Sequence, residues 1–458
     1  MADTITSGNQ LERGLGLAEA TALNMMDMVG IGPFIVIPLV IQEMGGPQCM
    51  LAWIAGAAMA LLDGCVWAEL GAAMPEAGGS YVFLREEYGP REWGRLMSFL
   101  LVWQTLIQAP LVMASGAIGF AQYFSYLIPL SKWQQKSLSA ALIVALIALL
   151  YRRISGIGKL SLFLWAGVVG TLLWIIFAGA THFHASLAFD FPKDAWHISP
   201  AWFAALGAAT GKTIYTYWGY YNVCHLGGEI REPEKNIPRG IFLSIIGIAV
   251  LYLAMQLSIT GALPWREAAG SPFVVSTFFE HLYGAHAARI ATIMVLWVAF
   301  ASLFALILGY SRIPYAAALD GNFFRVFSRL HPKKHFPYVS LLALGAAGAI
   351  FSVLFRLVDV ISAILATRLL VQFIGQAVGL MRLHSHWPSS RLPFKMKFYP
   401  WPVVLTICGW GALFVAAGPR FMLGGVVVIG TGVAAFLARA AYEKQWPFVE
   451  SARQGQAS

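Results

Sequence analysis

Residues 27–38 read DMVGIGPFIVIP and lie inside the first long apolar stretch of the chain. Gly30, Gly32 and Pro33 are poor helix residues, because glycine loosens a helix and proline lacks a backbone donor and clashes with the preceding turn. Lipid offers no hydrogen bonds to backbone that leaves a helix, so such backbone must be buried in protein or line a cavity. The stretch therefore predicts a helix break, and such a break indicates a binding site.

The composition of the chain is that of a polytopic membrane protein. Of the 458 residues, 58% are hydrophobic and only 12% are charged, and the mean hydropathy is +0.67. The polar amino-terminal stretch has no basic region ahead of a cleavage site, so we expect no cleaved signal peptide. The four cysteines are scattered along apolar segments and predict neither disulfides nor a metal framework.

Twelve apolar segments predict an all-α protein with twelve transmembrane helices, forming a single domain over residues 1–458. We place helices 1–5 at about 17–180, helices 6–10 at about 201–382 and helices 11–12 at about 398–441. An even number of spans puts both termini on the same side. The loops are too short for a soluble catalytic module, so we do not expect an enzyme.

The basic residues predict which side holds the termini. With a cytoplasmic amino terminus, 22 of the 31 lysines and arginines fall on the cytoplasmic side and seven on the other side, while Lys212 and Arg368 lie within segments. This excess follows the positive-inside rule, so we expect a multi-pass inner-membrane protein with cytoplasmic termini. The net charge of +9 thus reflects topology and does not predict nucleic-acid binding.

A second break is expected in the sixth segment, where residues 215–222 read YTYWGYYN around Gly219. If helices 1–5 and 6–10 are inverted repeats, segments 1 and 6 are equivalent, and paired broken helices form the midplane site of many secondary transporters. Half-helix amino ends suit a carboxylate and carboxyl ends suit an ammonium, so the pair suits a zwitterion. The alternative is that these glycines only allow close helix packing.

A family resemblance becomes specific after the second break. Residues 228–239 read GEIREPEKNIPR and resemble the loop signature of the amino acid–polyamine–organocation transporters. Other family patterns are matched by residues 30–32, by Ala68, Glu69, Leu70, Pro75, Gly78, Gly79 and Tyr81, and by Ser311, Arg312, Tyr315, Asp320 and Gly321. The resemblance covers nearly the whole chain. It implies the five-plus-five inverted-repeat fold of sodium-coupled leucine transporters, with two C-terminal helices added, and transport of amino acids or amines by alternating access.

The resemblance also implies that the helix 1 break holds the substrate carboxylate through backbone N–H groups. Ile31 and Gly32 can donate such groups, whereas Pro33 cannot. Around the second break, aromatic side chains can cap a substrate or hold an ammonium by cation–π attraction. The predicted substrate-binding residues are Gly30, Ile31, Gly32, Phe34, Gln108, Tyr215, Tyr217, Trp218 and Gly219.

Charged residues in or beside the segments are expected to serve coupling or gating. Lys212 falls near mid-membrane, where an unpaired charge is costly. We therefore predict that Lys212 titrates during transport or forms a gate ion pair with Asp27 or Asp63. Glu69 and Glu229 lie near helix ends and are predicted to act at an intracellular gate. Static structural ion pairs are the alternative for each of them.

Other classes of function are less well supported. Residues 207–213 read GAATGKT, but Leu206 occupies the position where a phosphate-binding loop needs glycine, so we expect no ATP binding. We expect no metal and no cofactor; the expected partners are the substrate, membrane lipids and protons. Coupling to protons or by exchange is favoured over sodium. A polyamine or organic cation transporter is the alternative if Asp27 and Asp63 face the pocket, and a non-transporting receptor is a remote one.

Overall fold

The computed structural model describes residues 11–355, 368–416 and 418–448, and throughout these ranges the chain is helices and loops without a β-strand. Helices α1 to α10 are Leu17–Met28, Gly32–Met44, Met50–Ala73, Ser80–Glu87, Trp93–Leu127, Lys132–Leu150, Ile154–Thr181, Ala185–Ala188, Pro200–Tyr217 and Asn222–His225. Helices α11 to α19 are Pro233–Ala262, Trp265–Gly270, Val274–Tyr283, Ala285–Tyr310, Arg312–Leu319, Tyr338–Leu354, Gln376–His386, Trp401–Ala416 and Pro419–Tyr442. A π-helical segment, Leu369–Gly375, leads directly into α17.

Seven helical stretches among the described residues are long and apolar enough to cross a membrane. The pair α1 and α2 passes the same test as a span bent by 46° at its break, which makes up to eight. Helices α16 and α18 are apolar but shorter. Of the twelve predicted spans, the sixth is interrupted at its break, and the start of the tenth, residues 359–367, lies outside the described residues.

Large apolar side chains are exposed on the outer faces of the long helices, while polar side chains lie inside. The exposed set includes Phe163, Phe177, Val250, Ile290, Ile293 and Val426. The buried polar set includes Asp63, Gln108, Gln256 and Arg368. An apolar exterior around a partly polar interior is the arrangement expected of helices whose surrounding solvent is lipid.

The first predicted helix break is confirmed. Helix α1 ends at Met28, and α2 begins at Gly32 with Pro33 in its first turn. Proline is suited to this position because the N–H that it lacks has no helical acceptor there in any case. No side chain caps the start of α2. The first N–H groups of α2 are therefore left without an intrahelical acceptor.

The second predicted break is also confirmed. Helix α9 ends at Tyr217, the chain continues through Trp218, and α10 begins at Asn222. Between them, Gly219 has φ +122°, a conformation that favours glycine. A Cβ added at Gly219 would lie 2.7 Å from the backbone nitrogen of Met28. Glycine is thus required here both by the backbone conformation and by the contact between the two breaks.

A buried carboxyl lies at the end of the short helix α4. The side chain of Glu87 is 2% exposed, and neither carboxylate oxygen has a hydrogen-bond partner among the described residues. Helix α17 covers it so closely that a Cβ at Gly379 would lie 2.3 Å from its Oε2. Burial raises the pKa of Glu87 well above its ordinary range. The carboxyl therefore holds its proton where a solvated glutamate would be ionised.

We expect Glu87→Gln to stabilise the protein at high pH. The unfolded chain releases the Glu87 proton above about pH 4.3, whereas the folded chain keeps it up to the raised pKa, so this group lowers stability as pH rises through that window. Thermal melting in detergent should show the variant about 2 °C or more above wild type at pH 8, with the difference vanishing near pH 4. The exposed Glu267→Gln should show no such trend, and a pH-independent difference would contradict this account.

Candidate functional site

A cavity of about 70 Å³ lies where the two helix breaks meet, enclosed by α5 and α14. Six of the nine predicted substrate-binding residues line it, namely Gly30, Ile31, Gly32, Tyr215, Trp218 and Gly219. Asp27, predicted for coupling, lines the same cavity. The structure therefore brings both breaks, distant in the sequence, to one cavity.

Three predicted substrate-binding residues lie outside the lining of this cavity. Phe34 is fully buried in the apolar core. The amide of Gln108 lies 3.4 Å from the Tyr310 hydroxyl. Tyr217 is directed away from the cavity and donates a 3.3 Å hydrogen bond to the carbonyl of Trp53. Helical periodicity separates it from its neighbours, because successive residues point around the helix axis.

Five polar residues that line the cavity were not among the predicted site residues. They are Ser115 on α5, Thr216 at the end of α9, Tyr221 in the second break, Ser302 on α14 and Arg368 at the start of the π-helical segment. For Arg368 a signal existed, since a charge within an apolar segment is a functional candidate by default. For the serines no signal existed, because serine is common at helix–helix contacts in membranes.

The backbone groups freed by the breaks are bonded largely by side chains of the protein. The hydroxyl of Tyr252 on α11 donates a shared hydrogen bond to the carbonyls of Met28, at 2.8 Å, and Thr216, at 3.1 Å. One hydroxyl thus binds the carboxyl ends of both interrupted helices. Asn24 accepts a 2.8 Å hydrogen bond from the backbone N–H of Val223 and donates to the carbonyl of Tyr220 at 2.6 Å.

The ion pair predicted for Lys212 is wrong. Its ammonium contacts Glu43 at the end of α2 rather than Asp27 or Asp63, and both side chains of the pair are one-third exposed. The flexible four-carbon stem of lysine lets the charge reach a partly exposed carboxylate instead of remaining buried in the bundle. The pair links α2 to α9.

Two other predicted acids, Asp63 and Glu69, form hydrogen bonds with partners outside the cavity. Asp63 accepts hydrogen bonds from the Tyr220 hydroxyl and, at 3.0 Å, from the indole N–H of Trp410. Glu69 lies 2.7 Å from Nε2 of His384 and accepts a 3.1 Å hydrogen bond from the backbone N–H of Met396. Both carboxylates therefore join helices that are distant in sequence.

Glu229, which follows the second break, forms a buried two-point ion pair with Arg312. The guanidinium donates hydrogen bonds of 2.9 and 2.7 Å to the two carboxylate oxygens, and both side chains are at most 2% exposed. The backbone carbonyl of Glu229 accepts a 3.0 Å hydrogen bond from the N–H of Leu15. Glu229 thus joins the segment before α1, the segment after the second break, and α15.

A family profile described as amino acid permease matches residues 15–436 of this chain. The chain belongs to the amino acid permease family. The match confirms the family resemblance read from the loop at 228–239, and it includes both helix breaks and the cavity between them.

Curated relatives of this permease are transporters and exchangers of several amino acids. The human cystine/glutamate transporter is 26% identical, covering 93% of this chain and 85% of the relative. The serine/threonine exchanger SteT of Bacillus subtilis is 25% identical, covering 93% and 94%. The human cationic amino acid transporter 4 is 25% identical over 84% of this chain, which spans 62% of that relative's length.

Removing one partner of the Glu229–Arg312 pair should destabilise the permease strongly. We expect Glu229→Gln and Arg312→Gln each to lower the free energy of unfolding by about 3–5 kcal/mol, because each leaves a buried charge unpaired. Denaturant unfolding in detergent micelles measures this. The double variant should cost less than the sum of the singles, and Arg266→Gln, which removes an exposed 3.2 Å pair with Asp190, should cost little. Additive losses would contradict the coupling.

Proposed function

We propose that this permease is a secondary active transporter of amino acids, not an enzyme, and that it works by alternating access around the cavity between the two breaks. One observation carries the proposal: two interrupted helices meet at a cavity that is lined by one acidic residue, Asp27, and one basic residue, Arg368. Such a space suits a zwitterion. The family match and the amino acid transporters among the relatives support it.

The proposed topology is that predicted from the sequence. Twelve spans form a single domain of two inverted repeats, helices 1–5 and 6–10, with helices 11 and 12 added outside them. Breaks in the first helix of each proposed repeat support the pairing. Both termini lie in the cytoplasm and the protein resides in the inner membrane, a proposal supported by the distribution of lysine and arginine.

Gating and coupling are proposed for the charged residues predicted from the sequence. Glu229, with its partner Arg312, is the proposed intracellular gate, because opening that end of the bundle requires this buried pair to separate. Lys212, paired with Glu43, is proposed to serve gating or coupling at the contact between α2 and α9. Asp27, Asp63 and Glu69 complete the proposed coupling set. Protons or exchange supply the proposed driving force, without ATP.

A polyamine or organic cation as substrate is less well supported. That alternative is favoured if Asp27 and Asp63 both face the cavity. Asp63 is held elsewhere by Tyr220 and Trp410, and the cavity contains the cationic Arg368 instead. A second positive charge beside the buried Arg368 would be repelled by it.

Purified protein in proteoliposomes tests the proposed function. Radiolabelled amino acids should accumulate when a pH gradient is imposed or when the vesicles are preloaded with an unlabelled amino acid, whereas spermidine should neither accumulate nor compete. The first condition reports proton coupling and the second reports exchange. Absence of uptake of every amino acid under both conditions, with correctly folded protein, would overturn the proposal.

Gly219→Ala, in the second break, should abolish uptake, while Gly207→Ala, within the preceding helix α9, should be tolerated. The added Cβ would lie 2.7 Å from the Met28 nitrogen at a position with φ +122°, so the two breaks could not remain in contact. Gly207→Ala is the matched control, because no atom lies within 4 Å of the Cβ that it adds. Uptake within twofold of wild type for Gly219→Ala would contradict the role of this contact.

A further inference from the structure

A second cavity, which we call the rim cavity, lies between the start of α5, the loop after α15 and the end of α19. Its volume is about 730 Å³, within the range of ligand-binding sites in proteins, about 300–1,000 Å³. Among the described residues, none lines both this cavity and the one between the helix breaks. The lining residues that bear on binding are Arg95, Phe99, Trp103, Phe324, Arg325 and Arg439. The rim cavity is therefore a separate candidate site.

The rim cavity lies at the ends of two spanning helices, near aromatic side chains typical of the membrane interface. Trp93 begins α5 and is 54% exposed, and Tyr442 ends α19 and is 91% exposed. Tryptophan and tyrosine are enriched where a membrane meets water, at the level of the lipid head groups. Arg95 lies two residues after Trp93, and Arg439 lies three residues before Tyr442. In the described part of the chain, α19 is also the least buried of the spanning stretches, so the cavity adjoins lipid.

The two acidic residues of the rim cavity are neutralised by arginines. The Nε of Arg439 donates a 3.0 Å hydrogen bond to Glu443, one turn later. The guanidinium of Arg85, which lies outside the lining, pairs with Asp320. These two pairs leave the other cations of the cavity uncompensated.

Arg95 and Arg325 are the cations that remain. Within the described ranges, neither has an ion-pair partner. Arg95 donates to the side-chain oxygen of Gln445, which is a neutral acceptor. The side chain of Arg325 is exposed and, over the same ranges, has no hydrogen-bond partner either. Two guanidinium groups that line one cavity without a carboxylate form a site for an anion, since arginine binds phosphate oxygens through charge-assisted hydrogen bonds.

Three aromatic side chains, Phe99, Trp103 and Phe324, form the apolar part of the lining. Phe99 and Trp103 stack along α5 with their ring centroids 6.2 Å apart. Helix α19 packs so closely on Trp103 that a Cβ at Gly432 would lie 2.8 Å from its ring. Phe324, next to Arg325 in the sequence, is 71% exposed. Large apolar side chains beside unpaired cations fit a molecule with an anionic head and an apolar tail.

We propose that the rim cavity binds an anionic phospholipid, whose phosphate contacts Arg95 and Arg325 and whose acyl chains pack against the apolar part of the lining. Phospholipid surrounds the spanning parts of α5 and α19, so this ligand reaches the cavity without crossing water. Basic pockets between transmembrane helices are suited to acidic lipid head groups. The bound lipid links α5 and α19 to the loop after α15. This inference does not depend on which substrate the permease transports.

Native mass spectrometry of the purified full-length protein in detergent tests the inference. The protein is titrated with palmitoyl-oleoyl phosphatidylglycerol, and the affinity is taken from the fraction that carries one lipid. Arg325→Gln should weaken this binding about fivefold, because one arginine near an anionic lipid contributes about that factor. Arg325→Glu, which reverses the charge, should weaken it further. Melting temperatures of both variants should match wild type, since the exposed Arg325 side chain has no bonding partner in the described ranges.

Arg329→Gln is the matched control for Arg325→Gln. Arg329 is exposed, lies four residues further along the same loop and is not part of the lining. The control removes the same charge and should leave the affinity for phosphatidylglycerol within twofold of wild type. An equal loss in both variants would show a general effect of net charge and overturn the inference, and so would an unchanged affinity in Arg325→Gln.

Two further comparisons separate a phospholipid from other ligands. Phosphatidylcholine with the same acyl chains should bind more weakly than phosphatidylglycerol, and glycerol phosphate, which has no acyl chains, should not displace it. Phe324→Ala should weaken phosphatidylglycerol binding, whereas Phe177→Ala, at an exposed phenylalanine on α7, should not. Equal affinity for the two lipids, or displacement by glycerol phosphate at similar concentrations, would contradict an anionic phospholipid as the ligand.

Discussion

The structure depends on the requirement that backbone inside a lipid-facing bundle be bonded by the protein itself. Two helices stop within the bundle, and the carbonyls at their ends meet at the hydroxyl of Tyr252. Asn24 bonds the backbone on the far side of the second break. Because lipid offers no substitute, the breaks persist only where these side chains reach both of them. The cavity is a consequence of that requirement.

Charge in the bundle follows the same physical logic. The buried ionisable groups of the bundle are paired through hydrogen bonds, kept neutral as Glu87 is, or directed into the cavity. Glu229 and Arg312 are the paired case, and Asp63 with its tyrosine and tryptophan donors is similar. Asp27 and Arg368 are the exception, since both face the cavity without forming a pair. Charges that remain unpaired at this cost indicate where a ligand completes the electrostatics.

The cavity and the Glu229–Arg312 pair are connected through the second break. Gly219 contacts the backbone of Asp27 and Met28 at the cavity, and ten residues later Glu229 pairs with Arg312. The N–H of Leu15, just before α1, bonds the carbonyl of Glu229. A movement of the segment between Gly219 and Glu229 would therefore act on both the cavity and the ion pair, as the proposed alternating access requires.

The sequence alone determined the membrane class, the family and the two breaks, because these are local properties. Apolar runs, glycine and proline within them, and the loop at 228–239 are read without knowing which residues meet. Partners required the tertiary structure. Lys212 contacts Glu43, and Asp63 lies outside the cavity lining, bonded to Tyr220. Arg368 lines the cavity although it lies about 150 residues beyond the second break in the sequence. Helix packing decides which face of each helix is turned inward, and the length of each side chain decides which partner it contacts. Neither the inward face nor the partner follows from spacing along the chain.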